Sequence, residues 1–189
     1  MEKIILASTS PRRRELLKKI TENFEIVSPD YDEKICDKDF SYNLVETTAK
    51  RKCESAISSI DYDAIVISAD TVVVYDNKIL GKPKDFNNAL GMLEMLNGKT
   101  HKVVTSVCVA NTKNNKITVQ SETSEVTFKN HSKEELIAYI NDFKPFDKAG
   151  SYGIQELPDG FVTNVNGDYY NIVGFPVALV EKILSAVRT

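Results

Sequence analysis

The chain has 189 residues, of which 42% are hydrophobic and 27% are charged, enough to bury one substantial α/β core. Its 24 basic and 27 acidic residues give a formal net charge of -3, so no overall positive field favours nucleic acid, and any phosphate recognition must be local. No apolar run approaches the roughly 18 residues of a membrane span, and the three cysteines lack the paired spacing of a zinc site or a disulfide framework. We therefore expect one cytoplasmic domain over residues 1–189, with no membrane or nucleic-acid partner.

The first twenty residues predict a strand, a turn and a helix. An apolar run over residues 4–7 breaks at Ser8, Ser10 is a good helix N-cap, and Pro11 suits the first helical position. Three arginines, residues 12–14, then occupy the first turn, where the helix dipole makes each cation unfavourable by roughly 0.3–1 kcal/mol. Backbone N–H groups, hydroxyls and guanidinium groups together suit phosphate oxygens, although solvated arginines are the alternative.

The stretch from residue 24 to residue 98 alternates strands and helices. A short strand is predicted over residues 24–28, a helix over 42–58, and a buried strand rich in β-branched residues over 65–69. Asp70 is expected to end this strand before an apolar segment resumes at residue 72. The next signals are a turn at Asp76-Asn77, a short extended segment at 78–80 ending at Gly81-Lys82-Pro83, a helix capped by Asp85, and a stop at Asn97-Gly98.

The second half predicts further strands, a capped helix and a hairpin. Four apolar residues of an alternating segment are expected to face one side of a sheet: Ile117, Val119, Val126 and Phe128. Ser132 and Glu135 form a capping box. The remaining predictions are a strand at 103–109, a polar loop at 147–155, hairpin arms at 161–165 and 169–173 around Asn166-Gly167-Asp168, and a last helix from Pro176.

Five short segments, in order and at suitable spacing, closely resemble the Maf family. They are Leu6–Arg13, Ser68–Val72, Gly81–Pro83, Lys148–Gln155 and Gly167–Asn171. The resemblance implies a nucleoside triphosphate pyrophosphatase, which releases pyrophosphate and leaves a monophosphate with the help of a divalent cation. It also implies an α/β fold in which a twisted mixed β-sheet is flanked by helices, with two lobes around a central cleft similar to that of inosine triphosphatases.

Two carboxylates are candidates for binding a metal ion and for activating the attacking water. In the matching family position Asp70 is the proton acceptor, and its residue type suits orienting or deprotonating a water; an aspartate that caps a turn is the alternative. Glu33 matches a carboxylate that the family uses, so Glu33 and Asp70 are expected to hold Mg²⁺ or Mn²⁺; a solvated surface acid is the alternative for Glu33.

Four further residues are candidates for binding the triphosphate. Lys52 and Lys82, which are also candidate catalytic residues, align with lysines of the family and can neutralise phosphate charge, and Lys82 lies in a short fixed motif. Ser8 and Arg13 are expected to complete a phosphate clamp at the amino end.

The choice of base is expected to depend on Arg12, Thr71 and Gln155. In Maf proteins, Arg, Thr and Gln at these positions accompany hydrolysis of dTTP and UTP. The Gln155 amide can donate to and accept from the O4 and N3–H edge of thymine or uracil, and the Thr71 hydroxyl can add a contact; a purely structural amide is the alternative. The segment Glu156–Gly160 departs from the glycine-rich or small-residue loop of many relatives.

The sequence leaves two functions of different classes open. One is hydrolysis of dTTP, UTP and modified pyrimidine triphosphates. The other is a nucleotide-binding regulator of septum formation without significant catalysis, since the family name comes from an association with the cell septum. The resemblance also implies a possible homodimer.

Overall fold

The computed structural model describes residues 2–31 and 38–189. Within these ranges seven strands form one mixed sheet: β1 (Ile4–Leu6), β2 (Glu25–Ile26), β3 (Ile65–Tyr75), β4 (Lys78–Leu80), β5 (Thr100–Asn111), β6 (Lys116–Phe128) and β7 (Val162–Asn166). The strand order is β2-β1-β3-β5-β6-β7, with β4 paired to β3. β1 is parallel to β2 and β3, and the other pairs are antiparallel.

Six α-helices accompany the sheet in the described ranges: α1 (Pro11–Leu17), α2 (Tyr42–Ser58), α3 (Phe86–Leu96), α4 (Lys133–Phe143), α5 (Tyr169–Val173) and α6 (Val177–Arg188). Two short 3₁₀ turns, Ala149–Ser151 and Ile154–Glu156, lie in the predicted polar loop. No helix of the described chain is long and apolar enough to cross a membrane. The α/β architecture of a mixed sheet flanked by helices is therefore confirmed.

The helix starts follow their local signals. Asp85 accepts a hydrogen bond from the Asn88 backbone at α3, and Ser132 and Glu135 form the predicted capping box at α4. At α1, Ser10 occupies the N-cap position, but its side chain makes no capping bond among the described residues.

β3 is longer than the strands beside it on one edge. β1 pairs with it only over Ile65–Ile67 and β4 only over Val73–Tyr75, so residues 68–72 have no strand on that side within the described chain. On the other side, β5 pairs with β3 continuously from Ile65 to Val74. The predicted break at Asp70 is therefore wrong, because the antiparallel ladder with β5 carries the strand through this polar residue.

One face of the sheet carries two hydrophobic clusters separated by polar residues. The first cluster joins Ile67 to residues of α1 and α6, and the second joins Val73 to residues of α3 and α4. Thr71 and Thr105, which are register partners on β3 and β5, lie between them with their hydroxyl oxygens 2.9 Å apart. α2 covers the opposite face, where Ala49 and its neighbours pack on β1, β3 and β5.

The prediction that the apolar residues of β6 share one face is wrong. Val119 packs in the cluster under α2, whereas Val126 and Phe128 pack in the cluster of α3 and α4 on the opposite face. Side chains alternate along a strand, so odd- and even-numbered positions point to opposite faces.

The predicted second hairpin arm, residues 169–173, is also wrong, because it forms α5. The Asp168 side chain accepts a hydrogen bond from the Tyr170 backbone N–H at 2.8 Å, which caps the helix. Gly174 ends the helix with a left-handed backbone, φ 111°. The Asn-Gly-Asp segment therefore turns the chain into a helix rather than into a returning strand.

We expect the buried His101 to couple stability to pH. His101 is 2% exposed, and burial lowers its pKa to about 4. Its pKa in the unfolded chain is about 6.5, so as the pH falls below 6.5 the unfolded chain takes up a proton that the folded chain does not. The free energy of unfolding should consequently fall, by at most ~3 kcal/mol by pH 4.

Urea unfolding of the wild type and of His101→Gln at pH 7.5 and pH 4.5 measures this coupling. The substitution removes the titrating ring, so the variant should lose less stability than the wild type between the two pH values. The measurement at pH 7.5 accounts for the cost of the altered packing. An equal loss in both proteins would show that His101 does not contribute.

Candidate active site

A cleft of about 710 Å³ opens beside the unpaired edge of β3. Every predicted site residue that lies in the described part of the chain lines it: Ser8, Arg12, Arg13, Lys52, Asp70, Thr71, Lys82 and Gln155. Glu33, predicted as a catalytic and metal-binding residue, lies outside the described residues. The chain thus brings together side chains from five separate segments.

Asp70 forms a buried ion pair with Lys52. The Lys52 Nζ lies 2.6 Å from the Asp70 Oδ1, and the two residues are only 5% and 2% exposed. Lys52 comes from the middle of α2, and Asp70 points toward α2 because it occupies the α2-facing register of β3. The ammonium group stabilises the ionised carboxylate, since an opposite charge at this distance in a poorly hydrated site is strongly attractive.

Arg13 connects three segments of the cleft wall. Its guanidinium donates to the Ala69 carbonyl at 2.7 Å, to the Gly174 carbonyl at 3.0 Å and to the Thr71 hydroxyl at 3.1 Å. Ala69 lies on the β3 edge beyond the end of β1, so Arg13 supplies a donor where a neighbouring strand would otherwise do so. The predicted phosphate-clamp residue is therefore also a structural tie.

The Thr71 hydroxyl is engaged by protein groups. It accepts from Arg13 and lies 2.9 Å from the Thr105 hydroxyl oxygen and 3.4 Å from the Gly174 carbonyl oxygen. Gly174 approaches so closely that a Cβ there would lie 3.2 Å from the Thr71 oxygen. The Thr71 hydroxyl therefore helps to hold Arg13 and the Gly174 loop at the cleft wall.

A chain of ion pairs connects α1 to the loop that follows α4. Arg12 Nη1 lies 3.0 Å from Asp147 Oδ2, and Lys148 Nζ lies 2.8 Å from Asp147 Oδ1 and 3.0 Å from Glu156 Oε2. Partial burial alone would raise the pKa of Asp147, but hydrogen bonds from Lys148 and Arg12 outweigh it and hold that pKa below its ordinary value. Asp147 is therefore ionised at neutral pH.

The sequence prediction assigned no role to Asp147, Lys148 or Glu156. Asp147 and Arg12 are 135 positions apart in the chain, so no local pattern could indicate that they pair. An adjacent acid and base at the start of a glycine-bearing loop was the available signal, but such pairs are usually solvated.

Lys82 and Gln155 remain exposed on the cleft wall. Lys82 follows β4, and Gln155 lies in the second 3₁₀ turn beside Tyr152, which is 6% exposed and forms part of the floor. Tyr152 is held by the buried His101, whose Nε2 lies 2.7 Å from its hydroxyl oxygen. Both exposed groups are accessible to a ligand.

The lining of the cleft has a net positive charge, whereas the chain as a whole has a net negative charge. The described lining contains five cationic side chains, from Arg12, Arg13, Lys52, Lys82 and Lys148, and two carboxylates, Asp70 and Asp147. The whole chain has a net charge of -3. This concave cationic site in an acidic protein favours a polyanionic ligand.

Solved structures with this fold include Ham1 proteins. A Staphylococcus aureus Ham1 protein aligns with a TM-score of 0.53 and 15% identity, covering 98% of this chain and 99% of that one. A HAM1 protein from Coxiella burnetii aligns with a TM-score of 0.51 and 13% identity, covering 98% and 100%. The likeness to these two proteins concerns the fold alone.

The family follows from the sequence comparison. The Maf-like protein family matches residues 3–187, so the chain belongs to the Maf family. Among its relatives, a protein named dTTP/UTP pyrophosphatase from Clostridium novyi is 47% identical over 183 residues, covering 96% of this chain and 95% of the relative. A Bacillus cereus protein of the same name is 46% identical over 184 residues, covering 97% and 95%.

Replacing Arg13 by lysine should destabilise the fold by about 2 kcal/mol, because an ammonium cannot reproduce the guanidinium fork that joins Ala69, Thr71 and Gly174. Urea denaturation measures the free energy of unfolding. The matched control is Arg14→Lys in the same helix, whose exposed arginine contacts Glu15 at 3.8 Å; it should change stability by less than about 0.5 kcal/mol. Equal effects of the two substitutions would contradict the structural role of Arg13.

Proposed function

We propose that the chain is a dTTP/UTP pyrophosphatase, which hydrolyses these nucleotides to the monophosphate and pyrophosphate. The observation that carries the proposal is the cleft in which a buried carboxylate, Asp70, lies among cationic side chains. The dTTP/UTP pyrophosphatase relatives, which align over nearly the whole chain, support the same activity.

The cationic side chains suit the triphosphate. Hydrolysis between the α and β phosphates develops negative charge on the leaving pyrophosphate, which nearby cations stabilise. Exposed Lys82 is the candidate for this contact, and Arg13 and Ser8 would hold the phosphates on the adjoining wall, while Arg12 belongs with Gln155 to the base site. Binding between these walls would also orient the α phosphorus toward Asp70.

Asp70 is the candidate general base. Its carboxylate can accept a proton from the attacking water, and the ion pair with Lys52 restricts its rotation. A buried ion pair contributes little net stability compared with well-packed apolar residues, so a functional reason for keeping it is favoured.

A divalent cation, Mg²⁺ or Mn²⁺, is part of the proposal. No group of three or more potential ligand residues occurs within residues 2–31 and 38–189. However, Mg²⁺ at nucleotide sites commonly takes only one or two carboxylates, and phosphates and waters supply the rest, so the Asp70 carboxylate together with Glu33 fits this donor set. When bound, the cation would neutralise phosphate charge and polarise the phosphorus–oxygen bonds.

The base would lie against Tyr152 and the apolar floor formed with Val103 and Ile172. The Gln155 amide can then donate to O4 and accept from N3–H of thymine or uracil. When the amide is held in this orientation, the pairing favours dTTP and UTP over cytosine nucleotides, which present an amino group and an unprotonated N3 at the same edge.

The proposal also includes the cellular compartment and the oligomeric state. Two buried free thiols, Cys53 and Cys108, are compatible with a reducing cytoplasm, and a homodimer is consistent with the family resemblance. Size-exclusion chromatography with light scattering would measure the oligomeric state.

Pyrophosphate release from a panel of nucleoside triphosphates, with Mg²⁺, Mn²⁺ or EDTA, tests the activity. We expect release from dTTP and UTP in the presence of either metal and a loss of release with EDTA. Binding of dTTP without turnover under every condition would instead support the regulatory alternative.

Asp70→Asn should lower kcat by about 10²- to 10⁴-fold, because the amide cannot accept a proton from water. The substitution keeps the shape of the side chain, so KM should change less than kcat. The control is Asp76→Asn in the exposed turn between β3 and β4, which should retain wild-type kinetics. An Asp70→Asn variant that keeps most of its turnover would remove Asp70 from the mechanism.

Gln155→Glu should lower the preference for UTP over CTP by about tenfold or more, because a carboxylate cannot donate to O4 and instead suits the amino group of cytosine. The measurement is the ratio of kcat/KM for the two substrates. Gln120→Glu on β6, outside the cleft lining, is the matched control. An unchanged ranking of substrates in Gln155→Glu would count against base recognition by this residue.

A further inference from the structure

Two residues of the proposed base site are connected by an ion network to which the proposed function assigns no role. Arg12 lies at the start of α1 and Gln155 in the second 3₁₀ turn. Between them run three ion-paired contacts, Arg12 to Asp147, Asp147 to Lys148 and Lys148 to Glu156, and Glu156 is the direct neighbour of Gln155. We propose that Asp147, Lys148 and Glu156 are positioning residues that set the preference for uracil and thymine over cytosine.

This inference rests on the proposed function, since it concerns the same site. It adds three residues whose side chains act on the substrate through Arg12 and Gln155.

Lys148 is the centre of the network. Its side chain is only 8% exposed, whereas those of Asp147 and Glu156 are 59% and 37% exposed. A buried ammonium is costly unless carboxylates compensate it, so Lys148 draws both acids toward itself. Asp147 and Glu156, at the two ends of segment 147–156, therefore both contact the Lys148 ammonium group.

Gly153 lets the loop pack closely against the Lys148 side chain. A Cβ at Gly153 would lie 2.9 Å from the Cδ and Cε of Lys148. The absence of a side chain at this position lets the backbone pass directly over the lysine stem. The loop that carries Gln155 therefore contacts Lys148 twice, through the Gly153 backbone and through the Glu156 carboxylate.

Asp147 connects Lys148 to Arg12, which lies on α1. Its two carboxylate oxygens contact different cations, Arg12 through Oδ2 and Lys148 through Oδ1. A change at Asp147 would release Arg12 and weaken the support of the Gln155 loop at once. The geometry thus couples Arg12 on α1 to the loop that carries Gln155.

Glu156 brings the network to the segment that carries Gln155. Its Oε2 lies 3.0 Å from Lys148 Nζ, and it directly follows Gln155 in the chain.

The test compares UTP with CTP in Asp147→Asn and Glu156→Gln. These nucleotides carry the same triphosphate and ribose and differ at the base edge, so the ratio of their kcat/KM values isolates base recognition. The ratio should fall about two- to fivefold in each variant, as expected for loss of a partly exposed ion pair. A network that only stabilises the fold would lower kcat/KM for both nucleotides equally, and an unchanged ratio would overturn the proposal.

A double-mutant cycle gives a second readout. In the Gln155→Ala background the network has no amide to position, so adding Glu156→Gln should no longer change the ratio. An equal drop with and without Gln155 would contradict positioning through this residue. Asp159→Asn, an exposed acid of the same loop, is the control and should leave the ratio at the wild-type value.

Two further measurements distinguish a failure of this inference from a failure of the proposed function. Turnover of UTP by the wild type tests the proposed function by itself. Calorimetric binding of non-hydrolysable UTP and CTP analogues reports the same preference without catalysis, so the inference is decided even if turnover is absent. Should Asp147→Asn fail to fold, Glu156→Gln, whose side chain is more than one-third exposed, provides the decisive ratio.

Discussion

The site depends on a gap in the sheet, the five-residue edge of β3 that β1 and β4 leave unpaired in the described chain. Backbone groups on such an edge require other partners, and Arg13 provides one by donating to the Ala69 carbonyl at 2.7 Å. The same guanidinium also donates to Gly174, so it holds the loop after α5 against the edge. A strand end, a helix and a distant loop are thereby fixed around a space that a further strand would otherwise fill.

The gap explains how one cleft receives side chains from both faces of the sheet. Consecutive residues of a strand point to opposite faces, so Asp70 points toward α2 and Thr71 toward Gly174. In a continuous sheet a neighbouring strand would separate these two environments. At an open edge both are reached from the same space, which brings the Lys52–Asp70 pair and the Arg13–Thr71 contact into one site.

Local signals predicted the parts of the fold whose ends depend on nearby residues. The helix over Tyr42–Ser58 is confirmed at both ends, because the Ser41 side chain caps its start and an apolar stripe defines its length. The expected break at Asp70 was wrong because a continuous partner strand outweighed the local polarity. The expected hairpin arm after Gly167 was wrong because the capping bond of Asp168 favours a helix.

The basic helix start at residues 12–14 indicated phosphate binding by itself, but the rest of the candidate site was predictable only through the resemblance. Eight of the nine predicted positions line the cleft, and Glu33 lies outside the described chain. The partners of these residues were not predictable, since the pairing of Arg12 with Asp147 depends on how loops far apart in sequence meet. A single sequence indicates which residue types suit the chemistry, whereas the contacts that orient them come from tertiary structure.

The ion pairs of the cleft also limit how much positive charge it offers a nucleotide. Among the described residues, the cations Arg12, Lys52 and Lys148 already contact carboxylates. A triphosphate carries about four negative charges at neutral pH, and the acidic chain as a whole does not attract it. The positive charge that the lining offers is therefore smaller than its number of cations suggests. A nucleotide that arrives with a divalent cation brings part of the missing charge itself, which gives the proposed metal requirement an electrostatic reason independent of any ligand set.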